Sequence, residues 1–250
     1  MNRIVLVARI LLALAFAGFG LQYLRILPIV GPPWYPVGRV LPIAAGILLL
    51  AAAAGLLVRA GAHLAATLLG AGLLLRVLVF HLPQLLGHLY DPNIWTVFGE
   101  VLALAAGACI LAASTLASAL PEIFRGTALT RVLAAGRYLF AVPLVIFGIL
   151  HFKYAFFIST LIPTWIPGRF FLANFVGLCF ICAALAIATG IRARLAGYML
   201  AAMFLLWVAI LHAPRVAAAS HNGNEWTSMF IALAMPGCSL AAAAIAPAKS

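Results

Sequence analysis

Long stretches without a charged side chain dominate this sequence: Val40 to Val58, Val101 to Pro121, Phe170 to Ile191, Leu195 to Pro214 and Trp226 to Ala248. Each is long enough to cross a hydrocarbon layer as a helix, which takes about 20 residues. Three further apolar segments, Ile4 to Leu24, Gly61 to Pro83 and Val132 to Phe152, carry one interior arginine each: Arg9, Arg76 and Arg137. These arginines stand within a few turns of a helix end and are expected to snorkel to the headgroups. Eight spans use up nearly all of the 250 residues and leave no room for a folded extramembrane domain. The expected fold is therefore an all-α integral membrane protein with eight transmembrane helices. A composition of 67% hydrophobic and 8% charged residues excludes a water-soluble fold, for which about a quarter of residues are charged.

The 15 Lys and Arg against 4 Asp and Glu would suggest nucleic acid in a soluble chain. Here the cations are spread singly between apolar runs, so interfacial anchoring replaces that reading and no nucleic-acid partner is expected. Nine of them fall on the side of the termini and six on the opposite side. The positive-inside rule then places both termini in the cytoplasm, with the chain multi-pass in the plasma (inner) membrane. Cys109, Cys179, Cys182 and Cys238 all lie within apolar runs, where cysteine behaves as a small hydrophobe. Cys179-Phe-Ile-Cys182 is a CxxC inside a span, without the exposure a redox pair requires. No spacing of His, Cys and carboxylates forms a metal signature.

The two halves align on each other. Arg9, Phe19 and Gly20 precede Arg137, Phe147 and Gly148 by 128 residues, and beyond the first loop the offset becomes 131. At that offset Trp34, Pro36 and Gly46 match Trp165, Pro167 and Gly177; His81 and Pro83 match His212 and Pro214; and Asn93, Trp95 and Thr96 match Asn224, Trp226 and Thr227. A four-helix unit thus occurs twice, over 1–120 and 131–250, with a linker at 121–130. Four is even, so both units share one orientation and are related by an axis along the membrane normal. Nearly all the matched polar and aromatic residues fall on the face opposite the termini, which makes that face the candidate functional surface.

The second half resembles the DoxX family of four-helix bacterial membrane proteins. The resemblance lies in a first helix closing with Phe147-Gly-Ile-Leu-His151-Phe152, the loop Pro163-Thr-Trp165-Ile-Pro167, a glycine-bearing helix, the Arg192/Arg194 turn and a helix ending in His212-Ala-Pro214. The first half keeps Phe19-Gly20, has Tyr23 where His151 stands, and carries Pro33-Trp34-Tyr35-Pro36 in its loop. The chain resembles a tandem duplication of the family's unit. Because the family includes a subunit linked to thiosulfate:quinone oxidoreduction, the resemblance implies a quinone-associated oxidoreductase component that acts with a redox partner subunit or as a homo-oligomer.

Several residues are candidates for such a site, each with a structural alternative. His81 and His212 sit near the outer ends of their spans, each two residues before a proline expected to end the helix. They either cap the helix at the interface or act as paired imidazoles for a quinone carbonyl. His151 beside Lys153, and Tyr23 beside Arg25, combine a ring with a cation, either to bind an anion or simply as part of the interfacial belt. Glu100 is an intramembrane carboxylate, functional by default or bridged to Arg76. Trp34, Trp165, Trp95 and Trp226 complete the rim. Arg9 and Arg137 are expected to be structural. The competing expectation is a non-enzymatic scaffold or maturation subunit, or a carrier of a lipid or small solute. An outward-opening apolar pocket bounded by His81 and His212 would favour ligand binding, and a closed, dry centre would favour scaffolding.

Overall fold

The computed structural model describes residues 3–25, 40–119 and 127–246. Eight helices are long and apolar enough to cross a membrane. They are α1 (Arg3–Arg25), α2 (Val40–Leu57), α3 (Ala62–Gly87), α4 (Pro92–Ala119), α5 (Thr127–Lys153), α6 (Arg169–Thr189), α7 (Ala193–Ala218) and α8 (Gly223–Ala244). A short helix, Ala155–Leu161, lies between α5 and α6, and no strand occurs among the described residues. The protein is thus all-α and multi-pass, as its apolar runs predict.

Helix boundaries depart from those runs where polar residues supply the caps. α4 begins at Pro92 instead of Val101, and α8 at Gly223 instead of Trp226. The reason is local: the Asp91 carboxylate accepts from the Asn93 N–H at 2.8 Å, and the Asn222 side chain accepts from the Asn224 N–H at 3.0 Å. Each satisfies a backbone donor at a helix start. The expected outer loops shrink accordingly. Part of the expected linker is helical, since α5 starts at Thr127, while 121–126 lies outside the described residues.

Contrary to expectation, Pro83 and Pro214 do not end their helices, because a π-helical turn precedes each one. In α3 the turn is Val77–His81, with the Leu82 N–H bonded to the Val77 carbonyl; in α7 it is Val208–His212, with Ala213 bonded to Val208. Proline lacks the N–H that an α-helix needs and its ring crowds the carbonyl four residues back. Widening the preceding turn by one residue re-aims those carbonyls, and the helices continue to Gly87 and Ala218.

The helices pack in a closed sequence: α1 against α2, α2 against α3, α3 against α4, and α5 to α8 in the same way. Between halves, α1 packs against α8 and α5 against α4, while α4 and α8 meet in the middle. Each half's fourth helix therefore packs on its own third helix and on the other half's first helix, far more than on its own first helix. Both α1 and α8 have their chain-terminal ends on one side, called proximal below; the distal end carries the α3–α4 and α7–α8 turns.

Close approach rests on glycines at matched positions. A Cβ on Gly20 would stand 2.9 Å from the Gly46 carbonyl oxygen, and one on Gly148 would stand 3.0 Å from that of Gly177. The α1–α2 and α5–α6 crossings thus use the same pair of glycines, as expected when association in lipid depends on backbone proximity. At the centre, a Cβ on Gly107 of α4 would lie 2.6 Å from the Cys238 Cβ of α8. These residues are 131 positions apart, so each is the other's repeat equivalent. Their meeting sets the pseudo-twofold axis between α4 and α8, along the bundle.

Arg9 does not snorkel. It is 2% exposed, and its Nε donates to the Leu56 carbonyl at 2.7 Å. Leu56 is in the last turn of α2, where carbonyls lack intrahelical partners and a cation is favoured, so the guanidinium is drawn inward to cap that helix. Its repeat equivalent, Arg137, is half-buried in α5.

Arg9→Met is expected to lower the unfolding free energy in detergent by about 2 kcal/mol, the scale of a lost charged hydrogen bond. Gly107→Ala should cost about 1–3 kcal/mol by overpacking, and adding Cys238→Gly should recover most of it. Thermal melts of the single and double variants check the axial contact, which equal losses in both would contradict.

Candidate functional site

The distal end has the same backbone frame in both halves. The Trp95 Nε1 donates to the Leu89 carbonyl at 2.8 Å, and the Trp226 Nε1 to the Ser220 carbonyl at 2.8 Å. The Thr96 hydroxyl donates to the Pro92 carbonyl and the Thr227 hydroxyl to the Gly223 carbonyl. The two rim tryptophans thus pin the turns that precede α4 and α8. Trp165 is 71% exposed, after the short helix, and Trp34 lies outside the described residues.

One half holds a cavity of about 590 Å³ within this frame. Its floor is apolar: Phe16 and Phe19 of α1, Leu49 of α2, Leu73 of α3 and Leu104 of α4. The rim is polar, with Gln22 and Tyr23 of α1, Arg76 of α3, and His221 to Asn224 from the turn entering α8. Phe16 is six residues below Gln22, about 9 Å along the helix at 1.5 Å per residue, so the cavity runs from the distal surface into the apolar layer. The second half contributes only its α7–α8 turn and Thr227. Its volume is within the usual range for small-molecule sites, about 300–1,000 Å³.

Arg76 organises the rim. Its Nε donates to the His81 Nε2 at 3.2 Å, and its NH1 donates to the Tyr23 hydroxyl at 3.0 Å. His81 thereby accepts at Nε2 and carries its ring proton on Nδ1. The remaining guanidinium donors face a cavity whose lining contains no carboxylate. Gln22 closes the α1–α8 side: its Nε2 donates to the Gly223 carbonyl at 2.9 Å and the Thr227 hydroxyl at 2.6 Å, while its buried Oε1 has no partner. The donors of this rim are preset by bonds to neighbouring helices.

Other candidates are distributed differently from the expectation. His81 is buried behind Arg76, whereas His212 belongs to α7, which packs on α6 and α8; the pair stands on opposite sides of the α4–α8 core and bounds no common pocket. His151 donates through Nδ1 to the Phe147 carbonyl at 2.8 Å and packs edge-on to Phe180. Glu100 is half-buried on α4, one turn from the floor residue Leu104, and forms no hydrogen bond or ion pair. Its expected bridge to Arg76 is absent because that guanidinium is engaged by His81 and Tyr23. Among the described residues the ion pair present joins Arg215 to Glu225 at 2.8 Å. Cys179 and Cys182 are free thiols.

The repeat overlay passes over Gln22 because it favours positions polar in both halves, and Gln22 matches Leu150. Asn222 and Thr227 match Asp91 and Thr96, polar in both halves, and their place in the cavity lining is evident only from the fold. The signal that finds Gln22 is the reverse one, a polar residue in one half against a large apolar one in the other. Compared with known proteins, the chain matches no family model, no curated protein and no solved structure.

Trp95→Phe and Trp226→Phe are each expected to lose about 1 kcal/mol of stability, one neutral hydrogen bond. Matched losses in denaturant titrations would identify both indoles as turn anchors. A loss confined to ligand binding, with stability unchanged, would contradict that role.

Proposed function

We propose that this protein is a DoxX-like membrane component of a quinone-linked oxidoreductase, and that it holds an amphipathic quinone in the distal cavity of its first half. The observation that carries this reading is the cavity's division into an apolar floor and a polar rim that bears the Arg76 guanidinium, with no carboxylate among the described lining residues. A quinone offers carbonyl acceptors on a flat ring and an apolar tail, which this donor set fits.

In the proposed complex, Arg76 orients the carbonyl end, Tyr23 and His81 hold the guanidinium in place, and Gln22, whose N–H groups are committed to Gly223 and Thr227, fixes the α1–α8 side of the rim. Phe16, Phe19 and Leu73 exclude water from the ring. Tyr23 and His221 are the proton-bearing groups on the rim itself, with His81 behind Arg76 and Glu100 one turn from the floor residue Leu104. Bound quinone would supply two-electron, two-proton acceptor chemistry, and the electrons would come through a partner subunit. With both termini cytoplasmic in a bacterial plasma membrane, the rim would face outward. A carrier needs a second exit, and the cavity floor is backed by Leu12 and Leu56, both fully buried. A scaffold needs no cavity.

Decylubiquinone added to the purified protein is expected to raise its melting temperature. Arg76→Met should weaken binding about tenfold or more, equivalent to 1.4 kcal/mol. His81→Ala should weaken it by a smaller factor, and His212→Ala should leave it unchanged. No stabilisation by decylubiquinone, together with no quinone in lipid extracts of the purified protein, would sink this reading.

A further inference from the structure

The cavity has a counterpart in the second half that can be located residue by residue. Across the repeat, Leu49 corresponds to Phe180, Leu73 to Phe204, Arg76 to Trp207, Leu104 to Met235 and Gln22 to Leu150. Backbones correspond there as well: the glycine crossings, π turns, tryptophan anchors and helix caps described above recur in both halves. Among the described helices both halves therefore frame the same volume, and the side chains that line it differ.

In the second half it is filled. Phe180 and Phe204 are 4% and 9% exposed, with ring centroids 5.8 Å apart. The Phe147 and His151 rings lie 5.7 Å and 5.2 Å from the Phe180 ring, and Met235 is buried in the same core. Two leucines have become phenylalanines and the charged rim residue has become an indole. These three positions add ring bulk or remove a charge, while Phe16 and Tyr23 correspond to the smaller Leu144 and His151 and Leu104 to the similar-sized Met235.

We infer that the duplicated chain holds one ligand site for two repeats, the second being a latent site closed by Phe180, Phe204 and Trp207. The latent site would take the same amphipathic acceptor-bearing ligand once emptied, because an arginine at 207 would meet His151 and His212 where Arg76 meets Tyr23 and His81. His212 already has a buried Nδ1 without a partner. Only the ligand arm of the test below rests on the quinone reading.

Two exchange variants of the full chain test this. One opens the second half (Phe180→Leu, Phe204→Leu, Trp207→Arg), and the other fills the first (Leu49→Phe, Leu73→Phe, Arg76→Trp). Reporter cysteines at the matched rim positions, Gln22→Cys and Leu150→Cys, are labelled with a water-soluble methanethiosulfonate and read by peptide mass. In the otherwise native chain Gln22→Cys, which lines the open cavity, should react about tenfold or more faster than Leu150→Cys, its half-buried equivalent beside the filled volume, where reagent gains access only as the rings give way. Opening the second half should bring Leu150→Cys up to that rate, and filling the first should slow Gln22→Cys by a similar factor. Equal native rates would overturn the inference, as would an unchanged Leu150→Cys rate in a folded opened variant. If the opened variant fails to fold, an unchanged Gln22→Cys rate in the filled variant does the same. Decylubiquinone should bind the native, filled and opened proteins at one, zero and two per chain. Labelling that follows the pattern with no quinone bound would defeat the quinone reading alone.

Discussion

The contact of α4 with α8 at Gly107 and Cys238 is the constraint on which the remaining packing depends. In lipid, apolar side chains gain little by leaving the hydrocarbon for one another, so helices associate where small residues allow backbones to approach. α4 and α8 supply this through Ala103, Ala106, Ala234, Ala241 and Ala242, all at most 2% exposed. With these two helices side by side on the axis, each offers a flank to the first helix of the opposite half. The aromatic–glycine contacts there are complementary: Phe230 of α8 covers Gly18 of α1, and Phe147 of α5 covers Gly99 of α4. The outer helices then close around this centre through the glycine crossings at Gly20–Gly46 and Gly148–Gly177.

A frame built this way is nearly indifferent to what fills the spaces between its helices. Hydrogen bonds of the turns and the two π turns fix where the distal ends stand, and they are the same in both halves. The cavity is decided by bulk at a few positions, Leu49 and Leu73 against Phe180 and Phe204, and by charge at one, Arg76 against Trp207. The centre is packed as a scaffold would require, yet a pocket is present to one side. The pocket lies in one half and not between His81 and His212, so a packed centre and a lateral pocket occur together.

Eight spans and their common class were legible from the uncharged runs, because the cost of unsatisfied backbone in lipid leaves few alternatives. Helix starts were misplaced at Pro92 and Gly223 because the capping residues Asp91 and Asn222 are polar, and hydropathy discards what caps need. Pro83 and Pro214 were misread as stops because a π turn has no signature of its own in composition. Arg9 was assigned to the headgroups because a single sequence does not reveal the open carbonyl of Leu56, which becomes a partner only when α1 and α2 cross. For the site, the overlay draws attention to His81 and His212, with a cap and a ligand role both open, and treats Arg76 as structural; the cavity has Arg76 on its rim and neither histidine in its lining, because the overlay rewards sameness whereas the cavity arises where the halves differ.

The interlocked arrangement of first and fourth helices has one further consequence. A four-helix unit alone would expose the flank of its first helix and the axial face of its fourth, and two identical copies would cover both by twofold pairing. In such a homodimer every substitution appears twice, so a cavity must be either present in both subunits or absent from both. Joining the two units in a single polypeptide frees each position from its symmetry mate. One side can then accumulate bulky rings that rigidify the assembly while the other keeps its hollow, a separation of stability from binding that no symmetric pair of identical chains can make.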